Sequence, residues 1–197
     1  MSTTQIVAWI AVAVLLFWGV GAYNRLVRLR NVIGNSFAQI DVQLKRRYDL
    51  IPNLVEVARK YAAHERDTLE AVSAARNQAK AAADLARTRP AAAGAVTSLS
   101  MAEQVLGTAL GKLMAVVEAY PELKADQSLR ELAEELTSTE NRIAFSRQLF
   151  NDATLDYNNA ALQFPTSLMA SLFGFREAAM LQSTSNEAER ATLRVQL

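Results

Sequence analysis

LRELAEELTSTENRIAFSRQLFNDATLDYNNAALQF, residues 129–164, carries Leu129, Leu136, Ile143, Phe150, Tyr157 and Phe164 at intervals of seven. Leu132, Thr139, Ser146, Ala153 and Ala160 occupy the companion positions. Such a repeat draws one apolar seam along a single long helix, and small companions let a neighbouring helix approach closely. Asp126 or Ser128 is placed to cap its start, and Phe164-Pro165 to stop it.

Working outward, a second heptad-like stripe precedes it, with Leu99, Leu106, Leu113 and Tyr120 at one position and Ala102, Ala109 and Val116 at the other; Tyr120-Pro121 closes it. Leu54, Ala58, Tyr61, Leu69 and Val72 carry another stripe towards Ala83, after which Thr88-Arg89-Pro90 and Gly94 read as a loop. The earliest stripe is Leu26, Leu29, Ile33, Phe37, Ile40 and Leu44. Pro52, with Asp49 as an N-cap three residues earlier, predicts a kink or restart at 49–52. Beyond 165, Thr166 to Phe173 is a short apolar segment ending at Gly174. An all-α protein follows, with four long helices in an up-and-down bundle over 25–174, because the loops at 88–94 and 121–127 suit antiparallel neighbours. Residues 175–197 form a polar tail, weakly ordered or folded back. An intermolecular coiled coil is the other arrangement a seven-residue period allows.

From Met1 to Asn24 there is no charged side chain, and Ile6 to Ala22 (IVAWIAVAVLLFWGVGA) is apolar or glycine throughout. At 1.5 Å per residue, Thr3 to Asn24 reaches about 33 Å, against a hydrocarbon thickness of about 30 Å. Residues 1–24 therefore read as a transmembrane anchor continuous with the first bundle helix, with Trp9, Trp18 and Tyr23 as interface anchors. Val20-Gly21-Ala22 has the spacing of a signal cleavage site, but no basic stretch precedes the apolar run. A core helix of a soluble protein would keep a polar face. Arg25, Arg28 and Arg30 follow the span and none precedes it, which predicts a short N-terminus outside and the bulk of the chain in the cytoplasm, with these arginines drawn to anionic headgroups.

Composition narrows the chemistry. Alanine supplies 35 of 197 residues and there is no Cys, so disulfides, thiolate metal sites and cysteine nucleophiles are absent. Net charge is +1, but residues 23–90 carry +6 and residues 91–197 carry −5. The one histidine, His64, is followed by Glu65, yet the zinc-protease pattern needs a second His at Thr68. A di-metal bundle needs a Glu-x-x-His pair on each of two helices, and Tyr61 stands three residues before His64. There is no Gly-x-Ser-x-Gly elbow and no Gly-rich phosphate loop; Gly107 and Gly111 read as a close packing site. No metal or cofactor is expected.

Glu65, Arg76, Glu118, Glu140, Arg142 and Arg147, with His64, read as a structural polar layer that pairs across helices. Lys45-Arg46-Arg47 beside Asp49 is the densest basic run. It lacks interleaved aromatics and any DNA-binding motif, so nucleic acid is not the expected partner. The run reads as an interaction surface for an acidic partner, either the acidic second half of this chain, another copy, or a membrane or cytoplasmic protein.

Several stretches resemble the LemA family of bacterial membrane proteins: Tyr23 to Val27 leading to Leu29-Arg30-Asn31, the run Gln43 to Val55 (QLKRRYDLIPNLV), Tyr61 with His64-Glu65, Ala75-Arg76, Glu118 to Lys124 (EAYPELK), Thr139 to Ala144 (TENRIA), Asn151-Asp152, Tyr157-Asn158 and Phe164-Pro165. Phe150 stands where the family usually has Tyr. The ending Arg194 to Leu197 is loosely similar to the family's terminal hydrophobic ending. The resemblance implies one N-terminal membrane helix in the bacterial inner membrane and a helical bundle, and it brings no catalytic residues. Two functions are carried forward: a non-enzymatic interaction or scaffold module at the membrane, with the lipid bilayer, a protein or a second copy as partner, and an enzyme or protease-associated envelope factor using dispersed carboxylates and arginines.

Overall fold

Thr3 to Tyr61 form one helix, α1, of 59 residues, a rod of about 88 Å. In the computed structural model, which describes residues 2–62 and 64–181, it is followed by α2 (Arg66–Thr88), α3 (Ala93–Ala119), a short α4 (Pro121–Ala125), α5 (Gln127–Leu162) and α6 (Thr166–Leu172). All regular structure among the described residues is helical.

The helix does not restart at Pro52, as its sequence suggested. Proline removes one N–H from the ladder and leaves the carbonyl of residue 48 without its intrahelical donor. Arg76 on α2 supplies that donor, its Nε standing 2.8 Å from the Tyr48 carbonyl oxygen. The break comes ten residues later, where the chain leaves α1 at Ala62 and resumes at Arg66. At the same end of the bundle, where the Tyr61 hydroxyl donates to one of its carboxylate oxygens at 2.9 Å, Asp126 caps α5 by accepting with the other from the Leu129 N–H at 3.0 Å.

α1 is the shared neighbour: α5 lies along one side of it and α2 along another, with α3 packed on α2. Its stripe of Ile33, Phe37, Ile40, Leu44, Ile51 and Leu54 is fully buried with Leu99, Leu106 and Leu113 of α3 and Ile143 and Phe150 of α5 within one core. The Phe37 and Phe150 rings meet edge to face at 5.9 Å. Ala75, Ala79, Ala83 and Ala86 give α2 a buried face without bulk, which is how a helix so poor in large apolar residues packs closely. The seam of α5 ends at Tyr157; Phe164 lies beyond the helix and is exposed, because the residue before a proline is pushed out of helical geometry.

The apolar start of α1 is bare. Only Gly19 and Ala22 are buried between Thr3 and Tyr23, whereas Trp9, Leu16 and Phe17 are 66, 66 and 81 % exposed. A core helix would be covered, so that reading of the segment does not hold. Near its bundle end, Leu26 forms a small second core with Ala160 and Ala161 of α5 and Ala170 of α6.

Residues 175–181 run back along α5. Asn158 and Asn151, one heptad apart, each clamp this segment through both amide atoms: Asn158 to the N–H and C=O of Ala178, Asn151 to those of Leu181, all at 2.9–3.0 Å. The Tyr157 hydroxyl donates to the Arg176 carbonyl at 2.9 Å. The rest of the tail, 182–197, lies outside the described residues.

Candidate functional site

Three helices bring charge together at the middle of the bundle. Arg47 and Tyr48 fall on the buried face of α1, Glu103 on that of α3, and Glu140 and Arg147 on α5. Arg47 Nη1 lies 2.5 Å from Glu103 Oε2, and its Nε lies 2.8 Å from Glu140 Oε1. The Tyr48 hydroxyl donates to the other oxygen of Glu103. Glu103 and Arg47 are 6 and 3 % exposed, so one carboxylate and one guanidinium are withdrawn from water and paired with each other, while the Arg47 Nε has an ion contact with Glu140 but no hydrogen bond. A buried pair of this kind fixes which residues face each other, since a slipped register would strand both charges.

Burial also sets the protonation preferences. Desolvation raises the Glu140 carboxyl above its ordinary value, with Arg47 opposing and Glu103 reinforcing the shift. Desolvation lowers the Arg147 guanidinium against the pull of Glu103 and Glu140, and it raises the Tyr48 phenol with the help of Glu103. Arg47 and Glu140 also border a cleft of about 520 Å³ between α3 and α5, beside Gly107, Gly111 and Thr137. The two glycines are not a close packing site: a Cβ on either would meet nothing within 4 Å, because the small residues widen the cleft.

The remaining residues of interest are dispersed. The run Lys45-Arg46-Arg47-Asp49 does not present one surface, because successive residues on a helix turn about 100° apart. Lys45 and Arg46 are exposed and paired, to Asp41 at 3.2 Å and to Glu135 of α5; Asp49 is exposed, and Arg47 is buried. Arg46 to Glu135 joins the basic first half to the acidic second half within the chain. The expected polar layer also divides. Glu140 and Arg147 join the central cluster, Arg76 holds the Tyr48 carbonyl, and Glu65 accepts from the Tyr120 hydroxyl at 3.4 Å. His64, Glu118 and Arg142 are exposed. Arg25, Arg28 and Arg30 are exposed on α1 just past the apolar run.

Sequence reasoning missed Glu103, Tyr48 and the Asp41–Arg87 pair, in which both carboxylate oxygens accept from the guanidinium at 2.9 and 3.0 Å. The signal for Glu103 was its place on the apolar stripe, four residues after Leu99 and three before Leu106. Among the described residues no three of His, Asp and Glu stand where they could hold a metal ion.

The chain is 27 % identical over 172 residues to the magnetosome protein MamQ of Magnetospirillum gryphiswaldense, an alignment covering 78 % of this chain and 62 % of that protein. It is equally similar over 197 aligned residues to magnetosome protein MamQ 2 of Paramagnetospirillum magneticum, covering 92 and 70 %. This chain thus spans less than two thirds of the length of the first of these relatives. Residues 36–197 match the LemA family profile, from the middle of α1 through the bundle and past its last described residue. That is more than half of the chain, and it agrees with the helical architecture and the wording of the sequence: the protein belongs to the LemA family.

Proposed function

We propose that this protein is a non-enzymatic, membrane-anchored interaction module, with its N-terminus outside and the bundle on the cytoplasmic face of a bacterial inner membrane. One observation carries the reading. The bare apolar run and the central helix of the bundle are a single unbroken helix, so no flexible linker lies between anchor and bundle. Such a continuous rod holds the bundle at a fixed height and angle above the bilayer, which serves a platform better than a tethered catalyst. The arginines that follow the span support the orientation. The exposed pair Lys45 and Arg46 with Asp49, on the outward side of α1, is the face we assign to a protein partner or a second copy.

The test is crosslinking in the native membrane with the full chain, comparing wild type with Lys45→Ala/Arg46→Ala. Both side chains are exposed, so the variant should keep its helical circular dichroism. One specific protein recovered with wild type and lost with the variant supports the module; an unchanged set of crosslinks refutes this face. Reporters active on one side of the membrane, fused after the bundle, test the orientation.

A second reading has one observation in its favour. Glu140, with its raised carboxyl, borders a roomy cleft beside Arg47, a pattern that active sites share. The Arg47 contact argues for structure instead. Glu140→Gln that abolishes a turnover while leaving partner capture intact would favour chemistry there.

A further inference from the structure

α6 lies beside the anchor, seated on the end of α5 through Ala170. Met169 approaches Gly19 to within 3.4 Å of where a Cβ would stand, and Phe173 packs on the Tyr23 ring at 4.9 Å. Taking Asn24 as the end of the apolar run, Gly19 is about 7.5 Å inside it. That is the depth, about 5–10 Å, at which a membrane-surface helix rests its apolar face. The exposed side chains of this region fit that medium: Phe164 is 77 %, Leu168 62 % and Leu172 74 % exposed, and no charged residue occurs from Phe164 to Phe175.

Between α6 and α1 runs an apolar notch of about 550 Å³, lined by Val12, Leu15, Leu16, Gly19, Met169 and Leu172. Directly on its bundle side is a larger cleft of about 900 Å³ with the opposite character, edged by Arg30, Asn31, Asn35, Thr88 and Arg89. Tyr23 and Phe173 border both, so the two adjoin at this ring pair. Arg30 lies about 9 Å beyond Asn24, and the headgroup layer extends roughly 5–7 Å beyond the hydrocarbon. Helical side chains lean towards the N-terminus, here towards the bilayer, so the long Arg30 side chain closes that difference. Arg89 comes from the α2–α3 loop, which reaches α1 where Pro90 meets Gly34. Neither arginine pairs with a carboxylate among the described residues.

We propose that α6 is a second membrane element and that, with α1, it forms a binding site for one anionic phospholipid of the surrounding bilayer. The acyl chain lies in the notch below Tyr23 and Phe173, and the phosphate lies between Arg30 and Arg89 above them. An apolar slot at hydrocarbon depth adjoining a cleft edged by two arginines on its headgroup side matches the two ends of such a lipid, and both arginines are needed because each contributes only modest attraction at a membrane surface. The assignment rests on α1 spanning the bilayer.

The chain has no cysteine, so single labels are clean. The full-length protein is placed in phosphatidylcholine nanodiscs, carrying an environment-sensitive fluorophore at Leu168→Cys in α6, outside the notch lining, or at Val14→Cys in the span. A small fraction of lipid bears a spin-label quencher on carbon 5, on either phosphatidylglycerol or phosphatidylcholine. At equal mole fraction, the phosphatidylglycerol quencher should act on the Leu168→Cys label about fivefold more strongly. Arg30→Ala/Arg89→Ala should bring that ratio to one, and Arg25→Ala/Arg28→Ala, outside the cleft, should leave it. Equal quenching by the two lipids in wild type overturns the site, as does an equal loss of selectivity in the Arg25→Ala/Arg28→Ala control. A quenched Val14→Cys label with an unquenched Leu168→Cys label places α6 away from lipid and overturns the proposal alone. If neither label is quenched, the anchor itself is refuted.

Discussion

Replacing Glu103 by alanine should cost far more than breaking any of the exposed ion pairs of the bundle. The substitution leaves the Arg47 guanidinium, 3 % exposed, with Glu140 as its remaining carboxylate contact, and removes the acceptor of the buried Tyr48 hydroxyl. Breaking a buried ion pair by deleting one partner costs about 3–5 kcal/mol. Because Arg47 keeps one contact and Glu140 is partly exposed, the lower end applies, about 3 kcal/mol. For a domain of this size that lowers the melting temperature by about 6–12 °C. The assay is thermal unfolding of the full chain in detergent micelles, followed by circular dichroism at a helical wavelength. Arg46→Ala, which removes an exposed pair with Glu135, is the control and should cost at most about 1 kcal/mol. The double substitution Arg47→Met/Glu103→Leu should recover most of the loss, because the penalty comes from the stranded charge rather than from the absence of the pair. A Glu103→Ala shift no larger than that of Arg46→Ala would refute the claim that this pair is buried and structural.

Other outcomes follow from the same geometry. Arg76→Met should destabilise by about 1–3 kcal/mol by leaving the Tyr48 carbonyl without a donor, and by much less in a Pro52→Ala background, where the helix supplies its own N–H; additive costs in denaturant titrations would count against the coupling. Gly111→Ala should stabilise by about 0.5–1 kcal/mol, since its Cβ meets nothing and the unfolded chain loses freedom; a lower melting temperature would mean the cleft is filled. Asn151→Ala/Asn158→Ala should release residues 175–181, so that trypsin cuts after Arg176 faster than in wild type, with equal rates as the refuting result. Glu140 has a raised carboxyl, so the stability it contributes is complete below the ordinary value of 4.5 and is lost as pH climbs through the raised folded value. Glu140→Gln should flatten that decline in melting temperature; an unchanged profile would remove Glu140 from the linkage.

Local pattern was enough to establish the helices, the apolar span and the family. These are properties of period and composition: heptads from Leu129 to Tyr157, an uncharged run before Arg25, and the wording from Gln43 to Val55 all survive without knowledge of neighbours. The restart expected at Pro52 does not occur, because the carbonyl that a proline frees can be satisfied from elsewhere, and the Arg76 that does so belongs to another helix. Arg47 was likewise read as surface because three adjacent basic residues look alike on paper, although helical rotation turns one inward to Glu103. Gly107 and Gly111 were ambiguous for the same reason, since small residues permit close packing but do not enforce it. Which charges meet, where the α3–α5 cleft opens, and that α6 lies against the anchor emerged only from the packed bundle, because these depend on contacts between residues far apart in the chain.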